Sequence, residues 1–176
     1  MEYFSRFRGR DRHISIVPMV ARKHDAKNLV PYCNSKANER GIDFENGDIV
    51  AVVIDVDEKT SSELNDSENR CRESNMDLYL SNRSFECWLI LHFGNLTKPY
   101  TQDELERILS HHMKCRYIKS EGICKKIDDS NVRSAIERAE KNILDESGRN
   151  ALCGNLNPST TVHFLVKRIW AMTAPS

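Results

Sequence analysis

Two aspartates that follow a continuously apolar segment are the residues of this chain best suited to chemistry. Residues 49–54 are all apolar, and Asp55 and Asp57 follow closely. Functional groups gather at the carboxyl ends of strands in parallel sheets, and side chains two residues apart on extended chain point the same way. Two bare carboxylates so placed repel each other, and a hard divalent cation relieves the repulsion. The pattern predicts a Mg²⁺ (or Mn²⁺) site at Asp55 and Asp57. The alternative is that these acids only end the strand, with Asp57 capping a helix.

A second polar segment, residues 81–93, follows a short predicted strand and opens a predicted helix capped by Ser84 or Asn82. Glu86 falls in the first turn of that helix, where the helix dipole favours a negative charge. It is therefore either an ordinary first-turn acid or a group that takes part in chemistry. His92 lies on the apolar face of the same helix, which is typical of a core histidine with a hydrogen-bond partner.

A third polar segment lies near the end of the chain. Asn157 as N-cap and Pro158 at the first helical position predict a helix start there. Ser159, Thr160 and His163 follow directly and add polar side chains. A helix start with free N–H groups and hydroxyls can receive a phosphate, and it is equally a well-made cap without a ligand.

Other catalytic patterns are weak or missing. His111, His112, Cys115 and Cys124 contain zinc-binding side chains, but their spacing matches no common zinc module. The sequence has no Gly-x-Ser-x-Gly elbow, no phosphate-binding Gly-Lys loop and no dinucleotide-binding glycine fingerprint.

The elements that would position these groups alternate along the chain. Strands are predicted at residues 14–17, 48–56 and 77–80, with helices between and after them. The apolar run 49–54 is typical of a central strand covered on both faces. This order predicts an α/β fold with a small parallel sheet covered by helices. The helical C-terminal half is expected to pack on the sheet as an extension.

Capping signals set the predicted helix starts. Asn28 is expected to cap a helix that runs to about Arg40 and ends at Gly41, with a proline in its first turn. The sequence Thr-x-x-Glu at positions 101–104 is a capping box. Ser130 is expected to cap a further helix.

Composition narrows the class of protein. The chain has 176 residues, enough for one domain with its own core, and 26 basic against 26 acidic residues. A net charge of zero provides no global attraction to nucleic acid or membrane, so polyanion binding requires a local patch or a bound cation. No apolar run approaches the roughly 20 residues of a membrane span, and the N-terminus lacks a signal peptide. We expect a cytoplasmic protein with six free cysteines and no membrane association.

Taken in order, these segments resemble the RloB family, which is found beside restriction and phage-defence genes. The resemblance spans nearly the whole chain and lies in four segments, which are Tyr3-Phe4, Val52-Val53-Ile54-Asp55-Val56-Asp57, Ser81-Asn82 with Phe85-Glu86-Cys87-Trp88-Leu89 and Leu91-His92-Phe93, and Asn157-Pro158-Ser159-Thr160-Thr161-Val162-His163. The family is regarded as Toprim-like, which implies a compact parallel sheet and Mg²⁺-dependent phosphodiester chemistry. The resemblance implies one domain over residues 1–176, with a Toprim-like core at about 1–95 and a helical part at about 96–176.

Two departures from the family pattern matter. Members normally begin with a strand ending in Glu-Gly, shortly before Thr-Glu and Tyr-Phe, whereas this sequence starts at Met1-Glu2-Tyr3-Phe4. The glutamate expected as general acid/base therefore has no counterpart, so either the start lies upstream or the protein is a degenerate member. Arg83 stands where the family tends to have proline, and its positive charge is compatible with a phosphate ligand.

The resemblance leaves two functional hypotheses. In the first, Asp55 and Asp57 hold Mg²⁺ in a nuclease-like site and Glu86 adds a metal ligand or transfers a proton. The substrate-binding residues would be Asn82, Arg83, Ser159, Thr160 and His163. In the second, the domain is not catalytic and binds a nucleotide or a partner protein, such as an ATPase encoded nearby. An open sheet edge would also favour a homodimer.

Overall fold

Three strands form a sheet in the residues that the structure describes. The computed structural model describes residues 2–7, 15–19, 26–57, 59–119, 122–142 and 158–173. Strand β1 (Val50–Asp55) pairs in parallel with β2 (Met76–Asn82), and β2 pairs antiparallel with the two-residue β3 (Ser159–Thr160). The order is β1-β2-β3. The predicted α/β class is thus confirmed, although the third strand is neither the predicted one nor parallel.

Helices surround this sheet. They are α1 (Glu2–Ser5), α2 (Ala26–Glu39), α3 (Ser61–Glu73), α4 (Phe85–Leu91), α5 (Gln102–Met113), a 3₁₀ helix (Ile123–Lys126), α6 (Asp129–Asn142) and α7 (Val162–Thr173). In this part of the chain, no helix is long and apolar enough to cross a membrane.

The period-2 alternation of the strands divides the apolar side chains between two clusters. Val52 and Ile54 of β1 pack with Leu64 of α3 in a smaller cluster that also contains residues of α2. The opposite face of the sheet is covered by a larger cluster that draws on α1, α4, α5, α6 and α7, with Tyr79 of β2 inside it and Val53 of β1 packed against it. The face of β1 with Val52 and Ile54 is buried, whereas the other face is only partly covered, since Ala51 is exposed and Val53 half-buried. The prediction of a central strand covered on both faces is therefore wrong, and β1 lies at the edge of the described sheet.

Local capping signals set several helix ends. Thr60 with Glu63 caps α3, and Thr101 with Glu104 caps α5, each with both reciprocal hydrogen bonds of a capping box. The second of these boxes was predicted. Gly41 follows α2 with a φ of +65°, as expected for a glycine that ends a helix.

Other predicted element boundaries are wrong. Residues 15–17 have no regular structure, and Ile14 lies outside the described residues; Ile16 packs against the larger cluster and forms no strand. Helix α2 begins at Ala26, so Asn28 is not its cap and Pro31 lies beyond the first turn. The cap of α6 is formed not by Ser130 but by a reciprocal pair of hydrogen bonds between Asp128 and Asn131.

The helix predicted to start at Pro158 begins four residues later, at Val162. Asn157 lies outside the described residues. The segment in between joins the sheet, because the Thr161 N–H donates to the Leu80 carbonyl at 2.8 Å and β3 pairs with the end of β2. The backbone of this segment therefore forms hydrogen bonds with the edge of β2 and does not begin a helix, although the local sequence favours a helix start.

Candidate functional site

Asp55 is the last residue of β1 and connects the sheet to α4. Its Oδ1 accepts a hydrogen bond from the Phe85 N–H at 2.8 Å, which places the carboxylate at the start of α4. The side chain remains 35% exposed. Burial raises the pKa of Asp55 above its ordinary value, against the opposite effect of Lys119, and the neighbouring carboxylates add to the rise. Burial therefore disfavours the ionised form of the Asp55 side chain.

Glu86 occupies the first turn of α4 and is almost fully buried, at 1% exposure. Its Oε1 accepts a hydrogen bond from the Tyr117 hydroxyl at 3.0 Å. Its Oε2 is buried and has no hydrogen-bond partner in the described part of the chain. Burial raises the pKa of Glu86, but the nearby Ser84 hydroxyl and the Lys119 ammonium outweigh it, so the pKa lies below its ordinary value. The side chain is thus a buried carboxylate whose Oε2 has no partner within hydrogen-bond distance, with the Ser84 hydroxyl nearby.

Lys119 connects the two carboxylates. Its Nζ lies 3.7 Å from Asp55 Oδ2 and 3.6 Å from Glu86 Oε1. Two acidic groups that come from a strand end and a helix start therefore face the same ammonium group. We call Asp55, Glu86 and Lys119 the carboxylate site.

Asp57 is not arranged as the sequence pattern predicts. Strand β1 ends at Asp55, and Asp57 lies in a turn with a φ of +46°, so the premise of two carboxylates on extended chain is wrong. The Asp57 N–H donates to the Arg83 carbonyl at 3.0 Å, and its side chain forms an ion pair with Arg83 at 3.3 Å. Nor does it cap α3, whose N-cap is Thr60.

A second polar cluster lies on the other side of β2. The Ser81 and Thr160 hydroxyls are 2.7 Å apart, and the Thr161 hydroxyl accepts the Leu80 N–H at 2.8 Å. Nδ1 of His163 lies 3.0 Å from the Thr160 carbonyl. We call Ser81, Thr160, Thr161 and His163 the hydroxyl cluster; all four side chains are at most 3% exposed.

The structure brings some predicted site residues together and separates others. Glu86 lies beside Asp55, as the functional hypothesis requires. Ser159 and Thr160 pair with β2 on the edge away from β1, about 10 Å across the sheet from Asp55 by ordinary strand spacing. Asn82 is 5% exposed at the end of β2 and pairs with Ser159. The peptide bond between Asn82 and Arg83 is cis.

The expected core role of His92 is confirmed. Its Nε2 lies 3.0 Å from the Tyr3 hydroxyl and its Nδ1 lies 2.9 Å from the Trp88 carbonyl, with 1% of the residue exposed. Burial lowers the pKa of His92 to about 3, so the ring is neutral at physiological pH. The Tyr3 hydroxyl contact attaches α1 to α4 within the larger core.

The sequence patterns did not indicate Tyr117 or Lys119 as site residues. Both lie in the segment after α5, about 30 residues from Glu86, and the hydrogen bond from Tyr117 spans 31 positions. No periodicity or capping signal connects residues this far apart. A tyrosine and a lysine two positions apart after an amphipathic helix carry no recognisable motif.

The donor set fits a hard divalent cation. Carboxylate oxygens are the ligands Mg²⁺ prefers, and Mg²⁺ is commonly held by one or two carboxylates plus substrate phosphates. Asp55 Oδ2 and the unpartnered, buried Glu86 Oε2 satisfy this description. Three or more metal-binding side chains do not converge anywhere in the described residues. The fit therefore rests on two carboxylates and on oxygens that a substrate would add.

The chain belongs to the RloB-like family, because the family model for RloB-like protein matches residues 1–169. No curated protein and no solved structure matches the chain.

Proposed function

We propose that this chain is a Mg²⁺-dependent (or Mn²⁺-dependent) nuclease-like domain that acts on nucleic-acid phosphodiesters in defence against phage. The observation that carries the proposal is the buried Glu86 carboxylate, which has one unpartnered oxygen and faces the same ammonium group as Asp55. An unsatisfied buried carboxylate oxygen costs free energy unless a ligand uses it. Family membership and a hard-oxygen donor set support the same chemistry.

Each residue of the site has a defined part in this proposal. Asp55 and Glu86 would hold the cation, which when bound would polarise a phosphodiester oxygen. The Phe85 N–H fixes the Asp55 carboxylate, and the Tyr117 hydroxyl fixes Glu86. Glu86 could also move a proton, since it is the most buried acid of the site.

The turn after β1 would contact the substrate. Asp57 and Arg83 are ion-paired there, with the Asp57 side chain 57% exposed and Arg83 31% exposed. A phosphate could take the place of the Asp57 carboxylate on the guanidinium, which binds both anions well. The role of Ser159, Thr160 and His163 would be indirect, because they would hold the end of β2 in position.

The wider setting is also a proposal. Nucleic acid would be bound through this local arrangement, since the net charge of zero gives no long-range attraction. We place the protein in the cytoplasm, with an ATPase as a partner protein, as fits a defence system. We also propose a homodimer formed through the β1 edge. The described sheet ends at β1, which pairs with β2 on one side only in the described residues.

One observation favours the second candidate function, a non-catalytic domain that binds a nucleotide or a partner protein. Lys119 already faces both Asp55 and Glu86, so the carboxylate pair has an internal counter-ion. In a degenerate member such an ion pair would serve only to stabilise the fold.

The deciding experiment measures cation binding and cleavage together. Calorimetric titration with Mn²⁺ and cleavage of DNA and RNA with Mg²⁺, Mn²⁺ or EDTA would be performed on the wild type, Asp55→Asn and Glu86→Gln. We expect the wild type to bind the cation and to cleave only in its presence, and both variants to lose both properties. Glu73→Gln, at an exposed position of α3, is the matched control and should behave as wild type. Cation binding without cleavage of any substrate would favour the binding domain, and a wild type that binds no cation would refute the nuclease proposal.

A further inference from the structure

Lys119 differs from the other charged groups of the site in how loosely it is held. Its distances to Asp55 Oδ2 and Glu86 Oε1 are 3.7 and 3.6 Å. A charge-assisted hydrogen bond is about 2.7–2.9 Å long, so neither contact is one. The side chain is 62% exposed and belongs to the segment that follows α5. Lys119 therefore interacts with the carboxylates through charge, largely through solvent.

The contrast with Tyr117, two positions earlier, shows that this is not a property of the whole segment. Tyr117 is 7% exposed and donates a hydrogen bond of 3.0 Å to Glu86 Oε1. The segment is thus attached to the site by Tyr117, whereas the Lys119 ammonium can move into solvent without breaking a hydrogen bond. Exposed ion pairs of this kind contribute little to stability, so little opposes that movement.

A divalent cation and the Lys119 ammonium would be attracted to the same two oxygen-bearing groups. Both carry positive charge, and like charges a few ångströms apart repel each other strongly in a partly buried site. A divalent cation balances two carboxylates by itself, whereas one ammonium group balances only one of them, so the bound cation leaves no need for a second positive group at close range. Binding of a cation between Asp55 and Glu86 therefore requires the ammonium group to leave.

We propose that Lys119 is a displaceable counter-ion that sets the cation affinity of the carboxylate site: it offsets part of the negative charge of Asp55 and Glu86 until a divalent cation replaces it. This inference rests on the proposed function, since it assumes that the pair can bind a cation. The inference adds that the Lys119 ammonium group competes with a divalent cation for the carboxylate site. After displacement, the ammonium is free to contact an anionic substrate beside the cation.

The test is a Mn²⁺ titration by calorimetry of the full chain as wild type, Lys119→Gln, Lys119→Arg and Lys125→Gln. Lys125 is an exposed lysine of the 3₁₀ helix and forms no ion pair with the described residues, so it controls for loss of one charge. We expect Lys119→Gln to bind Mn²⁺ about fivefold more tightly, whereas Lys119→Arg and Lys125→Gln stay within about twofold of wild type. Without cation, Lys119→Gln should melt at a lower temperature than wild type, and saturating Mn²⁺ should remove that difference.

The outcomes separate this inference from the proposed function. Tighter binding by Lys119→Gln than by a wild type that also binds Mn²⁺ supports the counter-ion. Equal or weaker binding by Lys119→Gln, with a wild type that binds Mn²⁺, overturns the counter-ion and leaves the proposed function intact. If neither protein binds Mn²⁺, both proposals fall, because the pair is then not a cation site.

Discussion

The carboxylate site and the hydroxyl cluster lie at neighbouring positions along the sheet but differ in how completely their polar groups are satisfied. In the hydroxyl cluster, the Thr160 and Ser81 hydroxyls are hydrogen-bonded to each other, and the Thr161 hydroxyl accepts a hydrogen bond from the Leu80 N–H. None of the buried side-chain atoms that lack a hydrogen bond in the described residues belongs to it. In the carboxylate site, Glu86 Oε2 lacks a partner and the Lys119 contacts are too long for hydrogen bonds.

This difference separates structural polar groups from groups available to a ligand. Buried polar groups are normally hydrogen-bonded, and a closed network leaves no acceptor for a substrate. The hydroxyl cluster is therefore best explained as the attachment of β3 and α7 to β2. The carboxylate site keeps an unused acceptor and two acids with opposite pKa shifts, which is the pattern expected where function opposes stability.

The largest effect on stability is expected in the hydroxyl cluster. Thr161→Val keeps the shape of the side chain but leaves the buried Leu80 N–H without its acceptor, which should lower the free energy of unfolding by about 2 kcal/mol. Urea unfolding measures this, with Thr97→Val at an exposed position as the control. Mn²⁺ binding by the folded variant should be unchanged. Wild-type stability in Thr161→Val would show that the cluster is not the attachment we describe.

An intermediate effect with a pH signature is expected at Glu86. The pKa of Glu86 is lowered in the folded protein. The ionised side chain therefore adds stability above its pKa in the unfolded chain, and that stability is lost as pH falls through its pKa in the folded protein. Glu86→Gln should therefore destabilise the protein by about 1 kcal/mol at pH 7, with a smaller deficit below a pH of about 4. Urea unfolding at several pH values gives the profile, with Glu73→Gln as reference. A deficit independent of pH would mean that charge is not its cause.

The smallest effect, of opposite sign, is expected at Asp55. Folding raises the pKa of Asp55. The contribution of this group to stability is therefore fully present below its pKa in the unfolded chain and is lost as pH rises through its pKa in the folded protein. Asp55→Asn keeps an oxygen for the Phe85 N–H and removes the disfavoured charge. The gain at pH 7 should be less than about 1 kcal/mol, since the side chain is 35% exposed and partly screened, and it should vanish near pH 3. Destabilisation at pH 7 would contradict the assigned direction of the pKa shift.

The sequence by itself determined the elements whose signals are local. The run 49–54 and the segment around Leu78 carry strand patterns, and both strands are present and paired in parallel. The capping box at Thr101 and the glycine at position 41 begin and end helices where predicted. These features depend on hydrogen bonds and dihedral angles within a few residues, so a short stretch of sequence is enough to specify them. The ordered motifs were also enough to identify the family.

The tertiary structure decided which groups meet. Asp55 lies beside α4 and Glu86 because the Phe85 N–H, 30 positions away, donates a hydrogen bond to its carboxylate, whereas Asp57 lies in the turn after β1. Helix α7 begins at Val162 and not at Pro158, because residues 159 and 160 form hydrogen bonds with the edge of β2. Tyr117 reached Glu86 only through the packing of the segment after α5. Such contacts depend on how whole elements pack, and no spacing within one element encodes them.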